Sequence, residues 1–245
     1  MTALFGRTLA AIAGVACLFA SAGVDARKLE AATLDAIKKV AVVSAAGDNL
    51  VCRATGVTVF GNDHEEENVA DWNLDAAWQA QLVEATNALG RFEVTPLPTD
   101  VRAALLAIKD ESAIPEAIQS IASTAGTDAV LLFLSPVTDT YYREVYLDDY
   151  GVFTYSMAFK KRTIYYVSGR LYLYDASGKL LDTQYLPGEA PKGLAPLPHT
   201  VAPEHLRALC LSAYSPEDRE ALRGALVEIP KPLWAPALEK LLETK

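Results

Sequence analysis

Asp128-Ala-Val-Leu-Leu-Phe-Leu-Ser135 sets six consecutive apolar residues between Gly126 and Pro136. An unbroken apolar run of strand length has no wet face. It therefore predicts a strand buried on both sides, with helices or a second layer as cover. The rest of the chain can be read for that cover.

Upstream, Pro115 in a first turn starts a helix through Ile118, Ile121 and Ala125 that Gly126 closes, and Thr99 or Asp100 starts another through Val101, Leu105 and Ile108. Phe92 and Val94 alternate with Glu93 as a short strand. Before it, Asn73 caps a helix carrying Leu74, Trp78, Leu82 and Leu89 at helical spacing, with Gly90 as its terminator. Two further strands precede these, Val40-Ala-Val-Val-Ser44 and an extended stretch from Leu50 to Phe60 ended by Gly61-Asn62-Asp63. Apolar strands alternating with amphipathic helices predict the α/β (α+β) class, a mixed sheet with helices on its faces.

Downstream the helical period disappears, and ten of the eleven tyrosines lie between Tyr141 and Tyr185. From Thr163 to Tyr174 alternation puts Tyr165, Val167, Leu171 and Leu173 on one face and Tyr166, Ser168, Arg170, Tyr172 and Tyr174 on the other. Asp175-Ala-Ser-Gly178 turns the chain back into Lys179–Leu186, and Gly151–Phe159 supplies a third strand of an antiparallel, Tyr-rich meander. Pro187 to Pro203 is a Pro-rich connection. Helical signals return over Pro203–Ala213, after the cap Ser215-Pro216-Glu217-Asp218, and at Leu233, Trp234, Leu238, Leu241 and Leu242, giving a C-terminal helical tail that packs on the rest. The organisation read this way is a signal peptide over 1–26, an α/β domain with its antiparallel extension over 27–186, and the Pro-rich connection and helical tail over 187–245.

The signal reading rests on Arg7, the apolar run Leu9–Ala20 and the small residues Ala20-Ser21-Ala22, with Val24-Asp25-Ala26 as a second cleavage candidate. It implies an exported chain, in the bacterial periplasm, with no transmembrane segment after cleavage. Lipid anchoring through Cys17 is the less favoured reading, because Gly14-Val15-Ala16 lacks the Leu-like residue that usually stands three before a lipidated Cys. Export leaves Cys52 and Cys210, which either form a disulfide or serve as small apolar residues.

At 245 residues, 51% hydrophobic and 22% charged, the chain has a globular make-up, and its net charge of −9 excludes nucleic acid as partner. Lys160-Lys161-Arg162 is the single basic cluster. His64-Glu-Glu-Glu-Asn68 begins like a zincin helix but has Asn68 where the second His belongs, so no metal site is assigned there and the acidic run reads as a solvated loop. Gly-x-Ser-x-Gly, Ser-x-x-Lys, Walker and Gly-x-Gly-x-x-Gly patterns are missing from the mature sequence, so no catalytic residue, cofactor or metal is assigned. Asp148-Asp149 beside Tyr150 is the carboxylate pair to inspect, against its reading as a charged hairpin tip.

The binding candidates are Tyr166, Arg170, Tyr172 and Tyr174, residue types enriched at recognition surfaces. The competing reading is that tyrosine is a good strand former, or that the C-terminal helices cover this face.

Val40-Ala-Val-Val-Ser44, Gly56-Val-Thr-Val-Phe60, Asp71-Trp-Asn-Leu-Asp75, Arg91-Phe-Glu-Val94 and Asp128-Ala-Val-Leu131, in that order, resemble exported bacterial envelope proteins with a TolB-amino-terminal-like or curli-secretion-lipoprotein-like α/β domain. The resemblance spans about residues 38 to 185 and implies a small mixed sheet serving protein–protein contacts in the cell envelope, without catalysis. The expected function is thus an exported, non-catalytic binding or assembly factor with unidentified envelope protein partners. The alternative is a hydrolase using carboxylates or an unrecognised metal site.

Overall fold

The computed structural model describes residues 29–55, 63–108, 110–135, 140–142, 145–147, 149–157, 160–186, 197–206 and 211–244. Its strands are β1 Lys39–Ser44, β2 Asn49–Thr55, β3 Asp63–Asn68, β4 Glu93–Pro96, β5 Ala129–Leu134, β6 Thr140–Tyr142, β7 Val145–Leu147, β8 Tyr150–Met157, β9 Lys160–Val167, β10 Gly169–Asp175, β11 Leu180–Leu186 and β12 His199–Val201. Its helices are α1 Ala31–Ala36, α2 Leu74–Ala88, α3 Thr99–Leu106, α4 Ile114–Ala125, α5 Pro216–Glu228 and α6 Trp234–Leu241. The α/β class and the C-terminal helix are as expected; among the described residues the strands form two mixed five-stranded sheets and the separate antiparallel pair β6 and β7.

Sheet 1 runs β11-β10-β5-β1-β4, with β1 parallel to β4 and β5, and with β10 antiparallel to β5 and β11. Sheet 2 runs β12-β9-β8-β2-β3, antiparallel apart from the parallel pair β2 and β8. The apolar run forms β5, near the centre of sheet 1, with Ala129 to Phe133 buried. Alternation then divides its side chains. Ala129, Leu131 and Phe133 enter the main core, which also takes residues from sheet 2, α2, α5 and α6; Val130 and Leu132 meet Leu105 of α3 and Ile118 and Ala122 of α4 on the opposite face. Asp128 locks the register at the strand entrance, its carboxylate accepting from the Lys38 and Lys39 amides at 2.8 Å each. Those two bonds hold its carboxyl below the usual range.

Helix α2 lays Leu74, Trp78 and Leu82 into the main core at i, i+4, i+8 spacing. Asn73 differs from its expected role. Its amide closes the preceding single turn Ala70–Trp72 with φ at 51°, a left-handed value that Asn tolerates, and its side chain makes no cap bond. Ser215 does cap α5, accepting from the Asp218 amide at 3.2 Å. Leu222 and Leu226 of α5 and Trp234, Leu238 and Leu241 of α6 lie in the main core, so the tail docks.

One local expectation is corrected. The Asp63–Asn68 run is not a loop. It pairs antiparallel with β2 as the edge of sheet 2, a place where charged side chains remain in water while the backbone is satisfied on one side. Of Pro203–Ala213 the described parts are the single turns Glu204–Leu206 and Leu211–Ala213, with 207–210 outside the described residues, and just before them the Ala202 amide donates to the Thr163 carbonyl and ties the chain to β9.

Candidate functional site

The expected Thr163–Tyr174 strand breaks at Ser168. Its first part belongs to sheet 2 and its second to sheet 1. Ser168 fixes the crossing by donating its amide to Asp149 O at 2.8 Å and accepting from Ser135 Oγ at 2.7 Å. Gly169 makes it sterically possible: a Cβ there would lie 2.1 Å from the Phe133 ring, itself wedged in the core, so only glycine lets the backbone pass.

The break sorts the binding candidates. Odd positions Tyr165, Val167, Leu171 and Leu173 all enter the main core, as alternation requires. The even positions do not share one surface. Tyr166 is fully buried in a third cluster with Leu147, Phe153, Tyr155, Ile164 and Leu197 on the far side of sheet 2. Arg170, Tyr172 and Tyr174 stay together on sheet 1, on the face covered by α3 and α4, not by the C-terminal helices. There Tyr174 is buried, whereas Arg170 and Tyr172 are half-buried.

Sequence reading missed one member of this group, Tyr185. The register sets it opposite Arg170 on the edge strand β11, and the Arg170 guanidinium lies 3.9 Å from the Tyr185 ring centroid and 5.7 Å from that of Tyr172. Tyr172 and Tyr174 stack at 6.3 Å with an 18° interplanar angle. The outcome is a guanidinium stacked on two half-buried rings beside the outer edge of sheet 1, a cation–π arrangement that presents flat, amphipathic area. The signal for Tyr185 was available in the hairpin, since pairing around the Asp175–Gly178 turn places it across from Arg170.

A second polar constellation lies at the carboxyl end of β1. Here the chain leaves the parallel part of sheet 1 between its two neighbours β4 and β5, with α2 on one face and α3 and α4 on the other, the switch point at which α/β sheets open a crevice. Asp75, in the first turn of α2, fills it. Its carboxylate accepts from Ser44 Oγ, from the Ala46 amide at 2.9 Å and from the Gly47 amide at 3.1 Å. Arg102 of α3 sits 3.8 Å from Asp75 and 3.6 Å from Asp48, and Tyr150 donates its hydroxyl to Gly47 O at 2.9 Å. Gln79 adds a cross-tie, donating to Leu97 O at 2.8 Å and accepting from the Ser44 amide at 3.3 Å.

Burial pushes the Asp75 carboxyl up, against the opposing pull of Ser44, Ala46, Gly47 and Arg102. Burial likewise pushes up the Tyr150 phenol, helped by Asp75. Both carboxylate oxygens are engaged by the 44–47 turn, so the cluster works as a clamp on that turn. An acidic residue in a first helical turn is so ordinary a choice that Asp75 gave no sign of it.

The remaining candidates are held locally. His64 lies 3.4 Å from Arg53 and 3.3 Å from Glu66, His199 Nδ1 lies 2.7 Å from Leu197 O, and His205 pairs with Asp218 at 3.0 Å. The His205 and Ser215 bonds draw the Asp218 carboxyl down. Asp149 turns the chain into β8 with φ at 55°, and Asp148 lies outside the described residues. Among the described residues no three His, Cys, Asp or Glu side chains converge as a metal site, and no helix is long and apolar enough to cross a membrane. Cys52, on the core face of β2, is disulfide-bonded. Cys210, Cys17 and the signal-peptide stretch lie outside the described residues.

No known protein family matches the chain, and no curated protein does. Among solved structures it is similar to the PelC dodecamer from Paraburkholderia phytofirmans, at 10% identity and a TM-score of 0.29 over 81% of this chain and 88% of that one. It is also similar to lipoprotein GNA1162 from Neisseria meningitidis, at 13% identity and 0.32 over 78% and 95%. A third is the hypothetical protein CT253 from Chlamydia trachomatis, at 10% identity and 0.34 over 84% and 96%. At these identities and TM-scores the likeness carries no activity or partner over to this chain.

Proposed function

We propose that this chain is an exported, non-catalytic binding or assembly factor of the bacterial cell envelope, acting through protein–protein contacts. The observation that carries the reading is the Arg170 guanidinium stacked 3.9 Å over Tyr185, half-buried beside β11, the outermost strand of sheet 1 among the described residues. Aromatic rings and arginine supply contact area at low conformational cost, and an edge strand offers backbone donors and acceptors to an extended partner segment. The disulfide at Cys52 supports export, because thiols stay reduced in the cytoplasm.

The test is binding by variants that keep the fold. Arg170→Ala and Tyr185→Ala should each weaken capture of envelope proteins by the purified chain by about 1–3 kcal/mol, read by titration of the captured partner, with an unchanged thermal melt. Full retention of binding by both variants would remove this surface from the reading.

We assign Cys210 as the partner of Cys52. Leu211, its neighbour in sequence, is buried in the same core as Cys52. Such a bridge closes a loop of roughly 150 residues and should contribute about 2–4 kcal/mol. Reduction, or Cys210→Ser, should therefore lower the melting temperature. Peptide mapping that finds Cys52 linked elsewhere would reject the assignment.

A further inference from the structure

We infer that sheet 2 continues from one copy of this chain into the next, the acidic edge of one copy pairing with the basic edge of its neighbour. This contact goes beyond the Arg170 surface and is independent of it, since it uses the other sheet. At one side sheet 2 ends in β3, whose Asp63, Glu65 and Glu66 are exposed, while Glu67 is held by Arg219. At the other side it ends in β12, which covers only Ile164–Tyr166 of β9. Among the described residues Lys160–Arg162 therefore forms the edge beyond it, with the Lys161 and Arg162 side chains exposed. Beside that basic stub, on β12, stands Val201 at 68% exposure, the most exposed large apolar side chain among the described residues.

The charges select one pairing out of three. Two β3 edges laid together would set carboxylates against carboxylates, and two β9 edges would set cations against cations, each unfavourable for directly opposed side chains. A β3 edge against a β9/β12 edge brings Glu65 and Glu66 to Lys161 and Arg162 and covers Val201. The contact is head-to-tail, so it propagates into a closed ring or an open array and not into a two-fold dimer. The basic stub and β12 are short, so charge steering contributes much of the encounter and salt should weaken it.

Sedimentation velocity of the purified protein over a concentration series tests this. Species larger than a monomer should form at about 50 mM NaCl and dissociate at about 1 M, where the screening length falls to roughly 3 Å. Glu65→Lys/Glu66→Lys and Lys161→Glu/Arg162→Glu should each weaken assembly about tenfold or more. An equimolar mixture of the two should assemble again, because each variant then meets an oppositely charged edge. If a reversal impairs folding, as read by its circular-dichroism melt, Glu65→Gln/Glu66→Gln and the wild-type salt series decide instead. A monomer under all conditions, assembly indifferent to salt and to these variants, or no recovery in the mixture would overturn the proposal. Arg170→Ala should leave assembly intact, which separates this contact from the partner surface on sheet 1.

Discussion

Trp78→Ala should lower the unfolding free energy by about 3–5 kcal/mol, the range for emptying a large aromatic from a core. Trp78 is fully buried where the two sheets and three helices meet. It stands edge-on to Phe133 at 5.9 Å and to Tyr150 at 5.1 Å, and Phe133 in turn meets Trp234 at 5.0 Å. Its indole nitrogen donates to Leu226 O at 3.1 Å, so truncation opens a cavity and strands the α5 carbonyl as well. Urea unfolding followed by circular dichroism measures the loss. Trp78→Phe should recover much of it, having kept the ring but not the donor; a deficit equal to that of alanine would place the energy in the hydrogen bond.

The second large effect is expected at Asp75. Asp75→Ala leaves the Ala46 and Gly47 amides and the Ser44 hydroxyl without their acceptor and Arg102 without one of its two carboxylates, in a place with almost no water. A loss of about 3–5 kcal/mol follows from removing one partner of a buried charged network. The pH dependence has a definite sign. The folded carboxyl titrates above its ordinary value of 3.8, so the native state binds its proton more tightly than the unfolded chain does. That contribution is fully present below the ordinary value and is lost as pH rises through the folded one. Chemical denaturation over a series rising from below the ordinary value of 3.8 should therefore show wild type losing stability relative to Asp75→Asn, which has no proton to release. A wild type that gains on the variant with rising pH would show the bonds and Arg102 outweighing burial.

Much of the fold was legible because it is written in local signals. The apolar run of β5, the Trp78 stripe of α2, Pro115 and Gly126 around α4 and the Ser215 cap of α5 each name their element through a spacing or a backbone requirement. What local signals do not carry is partnership. Thr163–Tyr174 alternates without interruption, and nothing in its side chains announces that Ser168 passes from one sheet to the other, because odd residues on both sides enter the same core. The determinant lies at Phe133, far along the chain, whose ring leaves room only for Gly169. Of the candidate site, Arg170 and Tyr172 were found by parity. Tyr166 was misplaced by the same parity once the strand was taken as continuous, and Tyr185 needed a cross-strand register. The Asp75 clamp joins residues from β1, α2, α3 and β8, each unremarkable where it stands.

The passage of the chain at Ser168 also bears on how this molecule is made. Strands of the two sheets are interleaved along the sequence, β1 before β2, β5 before β8, β9 before β10 and β11 before β12. Neither sheet can be completed from one contiguous stretch of polypeptide. Sheet 1 waits for Leu186 and sheet 2 for Val201, while the tryptophan of α6 that meets Phe133 arrives later still. A nascent chain of this order holds unpaired strand edges until nearly all of it has been synthesised, and its many long-range pairings place it among slow folders. Late closure of that kind leaves strand edges and apolar surface open to association with other chains until the last helix docks.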